Sequence, residues 1–152
     1  VPSRSQTEPA GPCMKILVCV DGSEYTKRMV AYWAAHDEWL SGHDFTVLTV
    51  VQALPPRAAA VLDRELLNGY YADEGDKTVK PIRTFLDRQG IEATFLSKTG
   101  PVADVIARTA TEGGFDLIMM GSHGHSELGT LVMGSVATRV LASCKTPALI
   151  VR

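Results

Sequence analysis

Four kinds of residue in this chain could act together: a spaced run of glycines, a serine beside the last of them, two histidines among them, and an aspartate far upstream. The run reads Gly121-x2-Gly124-x9-Gly134-Ser135, with His123 and His125 inside it. Glycine lets a backbone turn sharply and lets a ligand approach bare N–H groups, so this pattern between a strand and a helix suggests an anion cradle. The same residues suit a plainer reading, in which Gly121 caps a strand, Gly124 makes a turn and Gly134 relaxes a helix start. Spacing alone leaves both open. The run is neither a P-loop, since no Gly-x4-Gly-Lys-Ser/Thr occurs, nor a Gly-x-Gly-x-x-Gly dinucleotide turn.

His123 and His125 make a poor zinc site, because no cysteine or carboxylate constellation accompanies them. Residues 121–138 contain no lysine or arginine, and Glu127 adds a negative charge. Phosphoryl-transfer sites concentrate cations and metals on the charge that develops, so this stretch argues for binding rather than fast turnover. No His-Glu-x-x-His and no Gly-x-Ser-x-Gly elbow occurs, and the scattered serines and histidines define no triad. No catalytic residue and no protein-held metal is assigned.

The glycine run follows an apolar Asp116-Leu-Ile-Met-Met segment and precedes Val-Ala-Thr-Arg-Val-Leu and a Thr146-Pro147-Ala-Leu-Ile-Val ending. With the opening Lys15-Ile-Leu-Val-Cys-Val-Asp21-Gly-Ser23, these residues resemble the ATP-binding branch of the universal stress protein family. The resemblance runs from Met14 to Arg152. It implies a doubly wound α/β domain with a five-stranded parallel sheet in the order 3-2-1-4-5 and helices on both faces. In such a sheet the ligand crevice lies outside the C-terminal strand ends, between strands one and four. The loops there begin at Asp21 and Gly121.

By similarity, Asp21 would accept from a ribose or lie beside the nucleoside, while Cys19, Val20, Val50 and Met120 would line an adenine slot. Gly121, His123, Gly124, Gly134, Ser135 and Val136 would surround the phosphates, mostly through main-chain N–H groups at a helix N-terminus. The implied ligand is ATP, with magnesium or manganese held by the phosphates, whose oxygens such hard cations prefer. Asp21 could instead be an Asx-turn residue, the apolar residues core, and Ser135 an N-cap. Some ATP-binding relatives carry a basic residue after the second glycine, where this chain has His125; the departure leaves binding possible and weakens it at high pH. The resemblance also implies a homodimer through the last strand, Ala148 to Val151. The expected role is a nucleotide-responsive regulatory or stress-resistance module; its rivals are a slow ATP hydrolase, with His123, His125 and Glu127 as candidate groups, and a nucleotide-free dimeric scaffold.

The elements that must position these residues can be read along the chain. Residues 14–20, 45–51, 94–97, 117–120 and 148–151 form short apolar runs suited to buried parallel strands. Ser23 is an N-cap for a helix over 24–41, with Val30, Trp33, Ala34 and Leu40 on one face. Pro55-Pro56 ends the second strand, 57–67 looks helical, and Asn68-Gly69 and Gly75 are expected to interrupt it. Residues 52–75 would then be a helix start with an irregular surface loop, or a flap over a site. Val79, Ile82, Phe85 and Leu86 mark a further helix that Pro81 should kink or restart. Pro101 is placed in the first turn of a helix carrying Val102, Val105 and Ile106, and residues 135–143 form a helix with Val136, Val140 and Leu141 inward.

Composition sets the outer bounds. The chain has 152 residues, 45% hydrophobic and 21% charged, which fits one domain with a sizeable core. Fifteen basic against seventeen acidic residues give a net charge of −2 with no basic run, so nucleic acid is not an expected partner. No apolar run approaches the roughly 20 residues that span a bilayer, so no membrane partner is expected. Cys13, Cys19 and Cys144 lack metal-ligand spacing and leave an odd thiol, which suits the reducing cytoplasm. Residues 1–13 are polar and Pro/Ser-rich and read as a disordered tail or cloning remnant.

Overall fold

The apolar runs become a parallel sheet because they alternate between two buried faces. In the computed structural model, β1 (Lys15–Val20) sends Ile16, Val18 and Val20 to one face and Leu17 and Cys19 to the other. Nearly every residue of the strand is thus buried, which is what an uninterrupted apolar run requires. The structure describes residues 13–125 and 132–152. The expected tail before Met14, apart from Cys13, and the candidate Glu127 lie outside the described residues.

The remaining elements follow as α1 (Glu24–Ala35), α2 (Asp37–Leu40), β2 (Asp44–Val51), α3 (Pro56–Ala60), α4 (Arg64–Gln89), β3 (Thr94–Thr99), α5 (Val102–Glu112), β4 (Leu117–Gly121), α6 (Ser135–Ser143) and β5 (Ala148–Val151). The five strands form one sheet in the order β3-β2-β1-β4-β5, all parallel. The expected doubly wound α/β fold is therefore what the chain adopts. One face packs Met29, Val30 and Trp33 of α1 with Ile82 and Leu86 of α4; the other packs Ala103 and Ile106 of α5 with Ala137 and Val140 of α6.

Four local expectations are corrected. The helix expected over 24–41 breaks at His36, whose backbone sits at φ −112°, ψ 34°. Its ring Nδ1 bonds the Tyr32 carbonyl at 2.8 Å, competing with the regular helical pattern, and α2 restarts at Asp37. Neither Asn68-Gly69 nor Gly75 interrupts α4, which runs 26 residues through Pro81 as well. Asp63 caps it by accepting from Leu66 N–H at 2.8 Å, and Gly90 at φ 70° ends it. There the Ile91 N–H bonds Leu86 O and the Gly90 N–H bonds Asp87 O, a Schellman turn. Gly75 is buried because α4 crosses β3 there at close range: a Cβ would stand 2.5 Å from Ser97 Oγ. Packing therefore overrides the low helix propensity of glycine.

Pro101 stands at the N-cap of α5, one position ahead of the helix. On α6, Ala137 and Val140 are buried and Val136 packs against the same core, as expected of Val136 and Val140, whereas Leu141 is 46% exposed. The helix turns a narrow i, i+3 stripe to the sheet, and Leu141 falls outside it.

Candidate functional site

At the C-terminal ends of β1 and β4 the chain turns away to opposite faces of the sheet, and the crevice between them opens into a cavity of about 350 Å³. That volume lies near the lower end of the range for small-molecule sites. Its lining includes Cys19, Val20, Asp21, Val50, Met120, Gly121, His123, Gly124, Gly134, Ser135 and Val136. The eleven residues that the resemblance implies for nucleotide contact thus border one cavity, together with His125.

The floor is apolar. Cys19 and Met120 lie on the sheet face covered by α5 and α6, with Val50 and Val136 packed beside them. Val20 alternates to the opposite core while still bordering the cavity. Burial pushes the Cys19 thiol far above its ordinary range, with Cys144 adding to the effect, so Cys19 serves as a small neutral surface. Leu48, Val102 and Ile106 complete this floor. Sequence reasoning missed them, although Leu48 lies two residues before Val50 on the same strand face and Ile106 lies one helical turn after Val102.

The β1 turn is built around Asp21. Its Oδ1 accepts from the Ser23 N–H at 2.9 Å and the Thr26 hydroxyl at 2.7 Å, while its own N–H donates to Thr26 Oγ1 at 3.0 Å. Ser23 then caps α1 by accepting from the Thr26 N–H at 3.4 Å. Asp21 is therefore an Asx-turn residue through one oxygen, while the other, Oδ2, faces Gly124 across the crevice. A Cβ on Gly124 would stand 2.9 Å from that oxygen.

The β4 side is fixed by Ser122. Its N–H donates to Val151 O at 2.9 Å and its carbonyl accepts the Gly134 N–H at 2.7 Å, joining the loop to β5 and to the start of α6. Ser122 Oγ and His123 Nδ1 share a 2.8 Å hydrogen bond, and the His123 ring lies 4.7 Å from that of Tyr25. Gly121 has a different role from Gly124. A Cβ there would meet Tyr25 Cβ at 2.7 Å, so this glycine admits α1 against the strand end.

The phosphate cradle expected from sequence needs one correction and one refinement. Gly134, not Ser135, is the N-cap of α6; Ser135 is the first helical residue. The Gly134 N–H is already committed to Ser122 O, so it is no phosphate donor. The first-turn N–H groups of Val136 and Ala137 have no acceptor within the helix, and both residues line the cavity. A helix N-terminus carries roughly half a positive charge, which favours an anion there.

Further polar groups reach the cavity from Thr49, Gln52, Glu74 and Thr78. Glu74 and Thr78 lie one turn apart on α4, a relationship concealed from sequence by Gly75 between them. Among the described residues the lining carries no lysine or arginine, and no three His, Cys, Asp or Glu side chains converge as a metal site. Nor is any helix among them long and apolar enough to cross a membrane.

The sequence profile of the Universal stress protein family matches residues 13–152. Universal stress protein MJ0531 of Methanocaldococcus jannaschii is 30% identical over 88 residues, 58% of this chain and 52% of its own length. MJ0577 of the same organism is 28% identical over 108 residues, 71% of this chain and 65% of its own length. The solved structure of MJ0577 superposes with a TM-score of 0.76 at 26% identity, covering 91% of this chain and 94% of that one. The universal stress protein from Archaeoglobus fulgidus, solved in complex with dAMP, gives a TM-score of 0.65 at 20% identity over 91% of this chain and 98% of that one.

Proposed function

Because the chain belongs to the universal stress protein family, we propose that it is an adenine-nucleotide-binding module whose ligand sits in the crevice between β1 and β4. The observation that carries this reading is the convergence of an apolar floor, the Asp21 carboxylate and the first turn of α6 on one cavity of suitable size. The base would lie against Cys19, Val50 and Met120, the sugar beside Asp21 Oδ2, and the phosphate at Val136 and Ala137. The dAMP complex of the Archaeoglobus relative supports an adenine ligand.

ATP would enter with magnesium or manganese carried on its phosphates, since the described side chains offer no convergent set of ligands. The function is binding rather than turnover: the described lining has no Lys or Arg to stabilise a transferring phosphoryl group. Ligand occupancy would then favour one conformation or assembly of a cytoplasmic stress-response protein. The three free cysteines support that compartment.

The assembly is a homodimer through β5. This strand is an edge of the sheet, and its apolar residues are only half-buried. Pro147 O and Val151 O bond toward β4, so in the alternating pattern of a parallel ladder the Ile150 N–H faces the open edge. Ile150→Pro should shift sedimentation from dimer to monomer; a parent that already sediments as a monomer would refute the pairing.

Thermal unfolding of nucleotide-stripped protein tests the binding reading. Magnesium ATP at about 100 times its dissociation constant should add roughly 2.7 kcal/mol, a rise of about 5–10 °C, and Gly124→Val should abolish the rise. No shift at millimolar nucleotide would refute it.

A further inference from the structure

The cavity is unusual for a nucleotide site in the charge it presents. Asp21 and Glu74 are the acidic residues of its described lining, and no lysine or arginine joins them. Glu74 pairs with Lys77 at 2.9 Å, but that ammonium lies outside the lining. Lys98 is held by Thr109 Oγ1 at 3.0 Å on β3, and Arg139 is exposed on α6. His125 Nε2 already bonds the Asp21 carbonyl, and His123 Nδ1 the Ser122 hydroxyl. What remains for an anion is the first turn of α6, whose partial charge matches a small anion better than a triphosphate.

We propose that this cavity selects the low-charge members of the adenine class, the nucleoside monophosphate and its cyclic ester, over metal-free ATP, and admits ATP as its divalent-metal complex. The inference rests on the adenine-binding reading above and specifies the ligand of that site. Each uncompensated phosphate charge brought near Asp21 is repelled, and a bound magnesium ion removes most of that repulsion.

The test is a set of calorimetric titrations of the nucleotide-stripped chain with adenosine, AMP, cyclic AMP and ATP, in EDTA and in magnesium. In EDTA at low salt, AMP and cyclic AMP should bind about tenfold or more tighter than ATP. Magnesium should close the gap for ATP, and added salt should narrow it, because screening weakens charge discrimination. Metal-free ATP binding as tightly as AMP would overturn the inference and leave the adenine site standing. A gap unmoved by salt and magnesium would assign the selection to size and overturn it likewise. Absence of binding by every compound, adenosine included, would remove the proposed function and this inference with it.

Discussion

His125 Nε2 donates to the carbonyl oxygen of Asp21 across 2.7 Å, tying the loop after β4 to the turn after β1 over the mouth of the cavity. The bond joins residues 104 positions apart and holds the Asp21 backbone while Thr26 and Ser23 hold its side chain. Its removal should cost the net value of one hydrogen bond, about 0.5–1.5 kcal/mol. His125→Ala should therefore weaken nucleotide binding about three- to tenfold. His125→Gln, which keeps a donor, should recover much of the loss. Titration of the two variants checks this; equal losses in both would assign the effect to the ring and not the bond.

The glycines of the loop should separate into two kinds. Gly121→Ala forces a Cβ to within 2.7 Å of Tyr25 Cβ and should cost about 1–3 kcal/mol of stability. At about 2–4 °C per kcal/mol, its melting temperature should drop measurably while binding survives below it. Gly124→Ala instead meets Asp21 Oδ2, the carboxylate oxygen that Ser23 and Thr26 do not hold, and should leave the melting temperature near the parent's while abolishing the nucleotide-induced rise. Thermal scans with and without ligand distinguish them, and a reversed pattern would contradict these roles.

Most of the sheet was legible in the sequence because burial on both faces leaves an apolar run that few other structures tolerate. The strand order was not; it came from the resemblance, since a parallel register depends on crossovers that no local pattern encodes. The helix α4 was misread for a related reason. Gly69, Gly75 and Pro81 are local breakers, and only the close approach to Ser97 explains a buried glycine in mid-helix. Once α4 is divided, Glu74 and Thr78 cannot be placed at the cavity. At the candidate site, residues adjacent to the two turns were legible, whereas groups delivered by a helix from the far side of the sheet were not.

That reading of Gly75 can be checked by a double-mutant cycle. Gly75→Ala gains up to about 1 kcal/mol of helix propensity but must displace Ser97 Oγ, at 2.5 Å from the new methyl. The net effect should be a destabilisation of about 1–2 kcal/mol. Combining it with Ser97→Gly should recover at least half, as expected for residues in contact. Additive losses by urea unfolding would mean that the two positions do not meet.

Cys19 supplies a pH signature. Its thiol is raised from an ordinary value of 9.0, chiefly by burial, so the folded chain holds this proton where the unfolded chain releases it. The stabilisation is fully present below the unfolded value and is lost as pH rises beyond it. Cys19→Ser should therefore flatten the loss of stability above about pH 9. Alkylation at pH 8 should modify exposed Cys13 first and leave Cys19 intact in the folded protein. Rapid labelling of Cys19 without unfolding would contradict its burial.

The most direct measurement for the central claim is a calorimetric titration of AMP into the nucleotide-stripped chain, repeated with Gly124→Val and Asp21→Ala. One ligand per chain in the parent, abolished by the valine and weakened about tenfold or more by the alanine, is the expected result. Failure of the parent to bind at millimolar AMP, or binding left intact by both substitutions, would contradict a nucleotide site between β1 and β4.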